Sequence, residues 1–164
     1  GLHALFFGPG RGVPPRYRFD APAGEYQVMY AGLSYEAALV ETLFRNPRRR
    51  IVDLVELQIR SMATLTNKTK LRLVKAHGEG LAMLGTDAAL ATSRYLSSRR
   101  WALALWQHRD EPDGLVYLSR HNPGLLCAAF FDRSRARFTA TTTPLLDDEA
   151  RLGAVFAAHG KSIA

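Results

Sequence analysis

The segment Tyr35-Glu36-Ala37-Ala38-Leu39-Val40-Glu41-Thr42-Leu43-Phe44 constrains this chain more than any other. It reads as a helix capped by Ser34, with Glu36 in the first turn, where a negative charge suits the helix dipole. The predicted helix runs to about Arg45, and Asn46-Pro47 stops it, because the residue before a proline is pushed out of the α region. The helix is apolar nearly all round, so it is expected to be buried. Immediately before it, Tyr26, Val28 and Tyr30 alternate with Gln27, Met29 and Ala31, which predicts a strand over Tyr26–Leu33.

The rest of the chain mixes both kinds of element. Residues 1–25 hold Gly8-Pro9-Gly10, Gly12, Pro14-Pro15, Pro22 and Gly24, and read as an irregular arm. Further strands are predicted over Ile51–Ser61, Leu71–Lys75, Leu115–Ser119 and Leu125–Asp132. Asp113-Gly114 reads as a turn and His121–Gly124 as a loop. Helices are predicted over Leu81–Ala91, Arg94–His108 and Leu146–His159, the last amphipathic through Leu152, Val155 and Phe156. Strict βαβ alternation is absent, so the expected class is α+β, or mixed α/β, around a central mixed sheet. With 164 residues the chain suits one compact domain, 1–164. Its parts are the arm 1–25, a core 26–132 and a C-terminal helix 146–159.

Several classes are disfavoured. No run approaches the 18 or so apolar residues of a membrane span. Leu2-His3-Ala4-Leu5-Phe6-Phe7 is too short for a signal-peptide core and lacks a basic leader, so a cytoplasmic protein is expected. Gly1 in place of a starting Met points to processing or to residues upstream. The one cysteine, Cys127, excludes an internal disulfide and reads as a buried strand thiol. The five histidines show no metal-like pairing, and no metal is expected. Gly8–Gly12 lacks the Gly-Lys-Ser/Thr ending of a P-loop. A net charge of +7 suggests an anionic partner: a nucleotide, a nucleic acid or an acidic protein. The run Arg45, Arg48, Arg49, Arg50 reads as a solvated loop, since only Phe44 could interleave an aromatic platform; direct nucleic-acid binding is not expected.

Three residues are chemically out of place. Glu41 shares a helix face with Ala37, Val40 and Phe44, where a carboxylate is costly unless it is paired with an arginine or opens on a cleft. Arg18 lies in Arg16-Tyr17-Arg18-Phe19-Asp20 just ahead of the first strand, and its planar guanidinium suits paired phosphate oxygens. Ser119 ends the strand Val116-Tyr117-Leu118, either as a cap or facing a ligand. His121 lies close by, with no acid placed to make a triad.

Three blocks then carry a resemblance: Arg18-Phe19-Asp20 with Tyr26–Ala31; Ala37-Ala38-Leu39-Val40-Glu41; and Asp113-Gly114-Leu115-Val116-Tyr117-Leu118-Ser119. Tyr95–Trp106 adds a fourth segment. In this order and spacing the chain resembles the RES-domain family, named for an arginine, a glutamate and a serine, over roughly residues 18 to 132. The resemblance implies a toxin of a toxin–antitoxin pair, with an ADP-ribosyltransferase-like fold and activity on NAD. It makes Arg18, Glu41 and Ser119 the catalytic set and Arg18, Tyr30 and Ser119 the NAD-binding set. It implies no cofactor beyond NAD as substrate. The implied partner is a separate, Xre-like antitoxin, and a homo-oligomer is compatible with it. Many relatives carry a further arginine in the arm, and Arg11 is the nearest here; many have proline before the serine, where this chain has Leu118.

The chemistry implied is cleavage of the nicotinamide–ribose bond, with oxocarbenium-like charge on the sugar, as in glycoside cleavage. Glu41 would oppose that charge, Arg18 hold the pyrophosphate, Tyr30 pack on nicotinamide or its ribose, and Ser119 orient either. Water or inorganic phosphate is the expected acceptor, making an NAD glycohydrolase or phosphorylase. A protein ADP-ribosyltransferase and, in a different class, a basic nucleic-acid-binding module are the alternatives.

Overall fold

The computed structural model describes residues 4–88, 90 and 94–164. In chain order the elements are β1 (Val28–Gly32), α1 (Tyr35–Thr42), β2 (Ile51–Val52), α2 (Leu54–Gln58), β3 (Ser61–Asn67), β4 (Leu73–Ala76) and α3 (Glu79–Met83). There follow α4 (Tyr95–Trp106), β5 (Gly114–Leu118), β6 (Leu126–Phe131), β7 (Phe138–Pro144), α5 (Glu149–Ala158) and β8 (Ser162–Ile163). Four strands make a central sheet in the order β1-β6-β5-β4, antiparallel except for the parallel β5–β4 pair. The expected mixed sheet is therefore present. Two ribbons stand beside it, antiparallel β3–β7 and parallel β2–β8.

Register explains the layers, since residues opposite each other across a sheet share a face. Tyr30 faces Ala129, Gly32 faces Cys127, and Cys127 in turn faces Tyr117. This face carries Val28, Leu115, Ala129 and Phe131, packed with Phe19 of the arm and with Ala102 and Leu105 of α4. The opposite face carries Met29, Ala128 and Phe130, packed with Phe7 and with Phe138 of the β3–β7 ribbon. A third cluster joins Leu39, Val40, Leu43 and Phe44 of α1 to Val52, Leu57, Leu152 and Phe156. Each such side chain contributes roughly 1.5–3 kcal/mol when fully buried.

Helix α1 is buried as its composition requires, and Ser34 caps it by accepting from the Ala37 N–H at 3.0 Å. It ends at Thr42, ahead of the predicted Arg45. Gly32 sets how closely it approaches the sheet: a Cβ there would lie 2.4 Å from the Ala38 nitrogen and 2.8 Å from the Ala37 carbonyl carbon. Gly32→Ala should therefore push α1 off the end of β1. The expected loss, by analogy with overpacking, is about 1–3 kcal/mol in thermal or urea unfolding. An unchanged midpoint would show that α1 does not press on β1.

Some expectations need correction. Ile51–Ser61 is not one strand: after Ile51–Val52, Asp53 accepts from the Val55 N–H at 2.8 Å and starts helix α2. Only Val52 and Leu57 of its apolar residues point inward; Ile59 is 80% exposed, so the alternation did not mark a buried face. Asp113-Gly114 is not a turn. Gly114 opens β5, and the buried Asp113 carboxylate accepts from the Arg72 N–H and pairs with Arg137 at 2.9 Å. Of the predicted helix over Leu81–Ala91, residues 81–83 belong to α3, which starts at Glu79 and ends before Gly85 at φ +69°; Leu90 is again helical, and Ala89 and Ala91 lie outside the described residues. So do residues 1–3 of the apolar start. Strands β3, β7 and β8 were not expected at all.

Cys127 is buried in β6 as expected, and burial pushes its thiol up to about 12. No helix among the described residues is long and apolar enough to cross a membrane.

Candidate functional site

The site begins at the last turn of α1. Ala38 and Glu41, three residues apart, lie along one side of the helix below its cap Ser34, and that side, with Arg45 just beyond the helix end, walls a cleft of about 1390 Å³. Arg18 and Tyr17 of the arm, Tyr30 of β1, Tyr95 of α4, Tyr117 of β5 and Arg120 also line it. Three of the four expected site residues thus meet in one cleft, although they are far apart in sequence.

Ser119, the fourth, stands behind Glu41. Its hydroxyl donates to Glu41 Oε1 at 2.5 Å and accepts from the backbone N–H groups of His121 (3.1 Å) and Asn122 (3.2 Å). The side chain is therefore both the cap of the β5–β6 loop and the clamp on the carboxylate. It is 3% exposed, and its one proton is committed to Glu41. The His121 ring takes no part in this bond; only its backbone does.

Glu41 has no cation within 4.0 Å of its carboxylate among the described residues. Arg45 bonds the Glu41 backbone carbonyl, not its side chain. The salt-bridge alternative therefore falls away, and the half-buried carboxylate opens on the cleft.

Arg18 is 8% exposed, deeper than a surface arginine. Its guanidinium lies 4.9 Å from the centre of the Tyr95 ring, and Nη1 donates to Ser98 Oγ at 3.3 Å. Burial pulls its pKa below the ordinary value, with the Arg120 charge adding to the fall. An anion in the cleft would relieve that cost.

The Tyr30 hydroxyl accepts from the Phe19 N–H at 2.9 Å and donates to Asp20 Oδ1 at 2.9 Å. Burial pushes its pKa well above the usual value, and the Asp20 carboxylate adds to the rise. Its polar atom is thus turned to the protein, and its ring, packed edge-on against Tyr17 with centroids 5.5 Å apart, forms part of the cleft wall.

Arg11 is exposed and not part of the lining; Arg16, Arg45 and Arg120 supply the further positive charge. The arginine run beyond the cleft is partly folded back, with Arg49 and Arg60 both paired to Glu56 at 2.6 and 2.8 Å. Among the described residues no group of three or more His, Cys, Asp or Glu converges as metal ligands do. Sequence reasoning did not assign roles to Asp20, Tyr95, Ser98 or Arg120. Asp20, an acid inside a basic arm, was the one of these with a visible signal.

A cationic cleft with one clamped carboxylate suits a phosphate-bearing ligand that develops positive charge at a single point. In the comparison with protein families, the model described as RES domain matches residues 2–152. The chain belongs to the RES domain family. The matched span takes in Arg18, Tyr30, Glu41 and Ser119, hence the whole cleft. This RES domain is also 36% identical over 99 residues to the "Probable toxin y4kH" of Sinorhizobium fredii, covering 58% of this chain and 76% of that protein. No solved structure matches it significantly.

Proposed function

We propose that this RES domain protein is a toxin that destroys NAD by cleaving the nicotinamide–ribose bond. The observation that carries the reading is the Glu41 carboxylate, clamped by Ser119 and opening on a cleft whose other charged lining residues, Arg18, Arg45 and Arg120 among them, are all arginines. Family membership and the toxin relative support it.

In this mechanism Arg18 holds the pyrophosphate, while the Tyr30 and Tyr117 rings flank the nicotinamide half. The bond from ribose C1 to the nicotinamide nitrogen breaks, and its electron pair leaves with neutral nicotinamide. Positive charge develops on the ribose, and the fixed Glu41 carboxylate opposes it without reorganising. An oxygen of water or inorganic phosphate then bonds C1, and the acceptor's proton passes to solvent. Draining a shared cytoplasmic cofactor requires restraint, so a separate antitoxin covering this cleft completes the reading.

The test is incubation with labelled NAD, with and without inorganic phosphate, and with and without the product of the neighbouring gene. Free ADP-ribose identifies hydrolysis, a phosphorylated ADP-ribose identifies phosphorolysis, and label on protein identifies ADP-ribosyl transfer. The neighbour should stop NAD loss. NAD intact under every condition would overturn the proposal.

A further inference from the structure

Arg18 sits in an arm with no regular secondary structure, yet it is held more firmly than a loop residue needs to be. The hydrogen bonds that hold it converge on one carboxylate. Asp20 is 0% exposed. Its Oδ2 accepts from the backbone N–H groups of Arg16 at 2.8 Å and Tyr17 at 2.6 Å, immediately before Arg18. Its Oδ1 accepts from the Tyr30 hydroxyl, whose oxygen takes the Phe19 N–H, immediately after Arg18. The Phe19 carbonyl is held in turn by the Tyr26 hydroxyl at 3.1 Å. Both flanks of Arg18 are therefore tied to the sheet through Asp20 and β1.

We propose that Asp20 is a positioning residue which, directly and through Tyr30, holds the arm so that Arg18 faces the cleft. A carboxylate is needed because three donors meet it. Asparagine has one acceptor oxygen and an NH2 group. In Asp20→Asn, either the Arg16 and Tyr17 N–H groups or the Tyr30 hydroxyl must lose its acceptor. The buried cost of that loss loosens the segment around Arg18 and leaves Glu41 and Ser119 alone.

The kinetic side of this inference rests on the NAD reading. A pyrophosphate contact is made equally in the ground state and the transition state, so its loss raises KM and spares kcat. Asp20→Asn should raise KM for NAD about tenfold, with kcat within about threefold of the parent. In an Arg18→Ala background the same change should raise KM less than about twofold further, because the group it positions is gone. Tyr30→Phe removes the acceptor of the Phe19 N–H and the hydroxyl donor to Asp20 Oδ1 while leaving the Asp20 bonds to the Arg16 and Tyr17 amides, and should show the same split if Asp20→Asn folds poorly. A merely structural role would lower the melting temperature and the active fraction, leave KM unchanged and combine additively with Arg18→Ala; that result overturns the proposal.

Hydrogen exchange in the free protein supplies a readout without NAD. In Asp20→Asn either the Arg16 and Tyr17 amides or, through the loosened Tyr30 hydroxyl, the Phe19 amide should exchange faster, and in Tyr30→Phe the Phe19 amide should. Parental exchange at all three sinks the positioning role whatever the ligand is. A parent inert towards NAD, with exchange altered as expected, overturns the NAD reading and upholds Asp20 as the anchor of the Arg18 segment.

Discussion

Replacing Glu41 with glutamine should cut the rate of NAD cleavage on the order of 100-fold or more, by analogy with the loss of one preorganised transition-state contact. The variant should still fold. Glu41 is half-buried and has no cation partner among the described residues, so removing its charge strands nothing. Glutamine keeps the shape and one acceptor oxygen for the Ser119 hydroxyl, so the clamp survives in neutral form. The stability change should be about 1 kcal/mol, the difference between a charged and a neutral hydrogen bond. Had Glu41 balanced a buried arginine, the loss would instead be about 3–5 kcal/mol. Affinity for intact NAD should change little, because the cationic sugar exists only near the transition state. Thermal unfolding, NAD affinity and turnover on the same preparation decide the matter. Parental turnover in a stable variant would remove Glu41 from the mechanism.

Arg18→Ala should act on binding instead. The guanidinium is mostly buried, already stacked on Tyr95 and pre-aimed by the arm, so little entropy is lost when an anion meets it. Loss of a charged hydrogen bond to a pyrophosphate is worth roughly 1.5–3 kcal/mol, or about 10- to 150-fold in NAD affinity. Arg18→Lys should restore only part of it, since lysine offers a point charge and no planar fork to lie on the Tyr95 ring. The fold should persist, because Ser98 Oγ keeps its own bond to the Leu90 carbonyl at 2.7 Å. Isothermal titration with NAD on catalytically silent Glu41→Gln protein isolates the effect. Normal affinity in Arg18→Ala would refute the pyrophosphate assignment.

The local signals were legible wherever a segment has to bury one kind of face. Helix α1 shows its cap at Ser34 and its apolar girth in ten consecutive residues, β1 shows itself by alternation from Tyr26, and β6 as an apolar run. Those elements were readable because period and capping are properties of neighbours in sequence. Glu41 was legible for the same reason, as a charge misplaced on an apolar helix. The Ile51–Ile59 segment misled because its apolar residues are mostly exposed, which a rule built on burial cannot anticipate. The Thr-rich β3–β7 ribbon was missed because its strands are held by each other across about 75 residues, and little of either is buried.

The sequence by itself determined the class of the fold, the helix and strand that frame the site, and which residues were candidates for chemistry. Only the tertiary structure decided how those candidates relate. The 2.5 Å bond joining Ser119 to Glu41 spans 78 positions, and the contact between Arg18 and Ser98 spans 80. Whether a buried carboxylate meets an arginine or an open cleft depends on which elements pack beside its helix, and that is set by a Gly32 approach and a sheet order that no local pattern encodes. Hydrogen bonds and Coulomb contacts act over a few ångströms, so a site built from the arm, α1, β1, α4 and the end of β5 comes into being only when the core brings those pieces together.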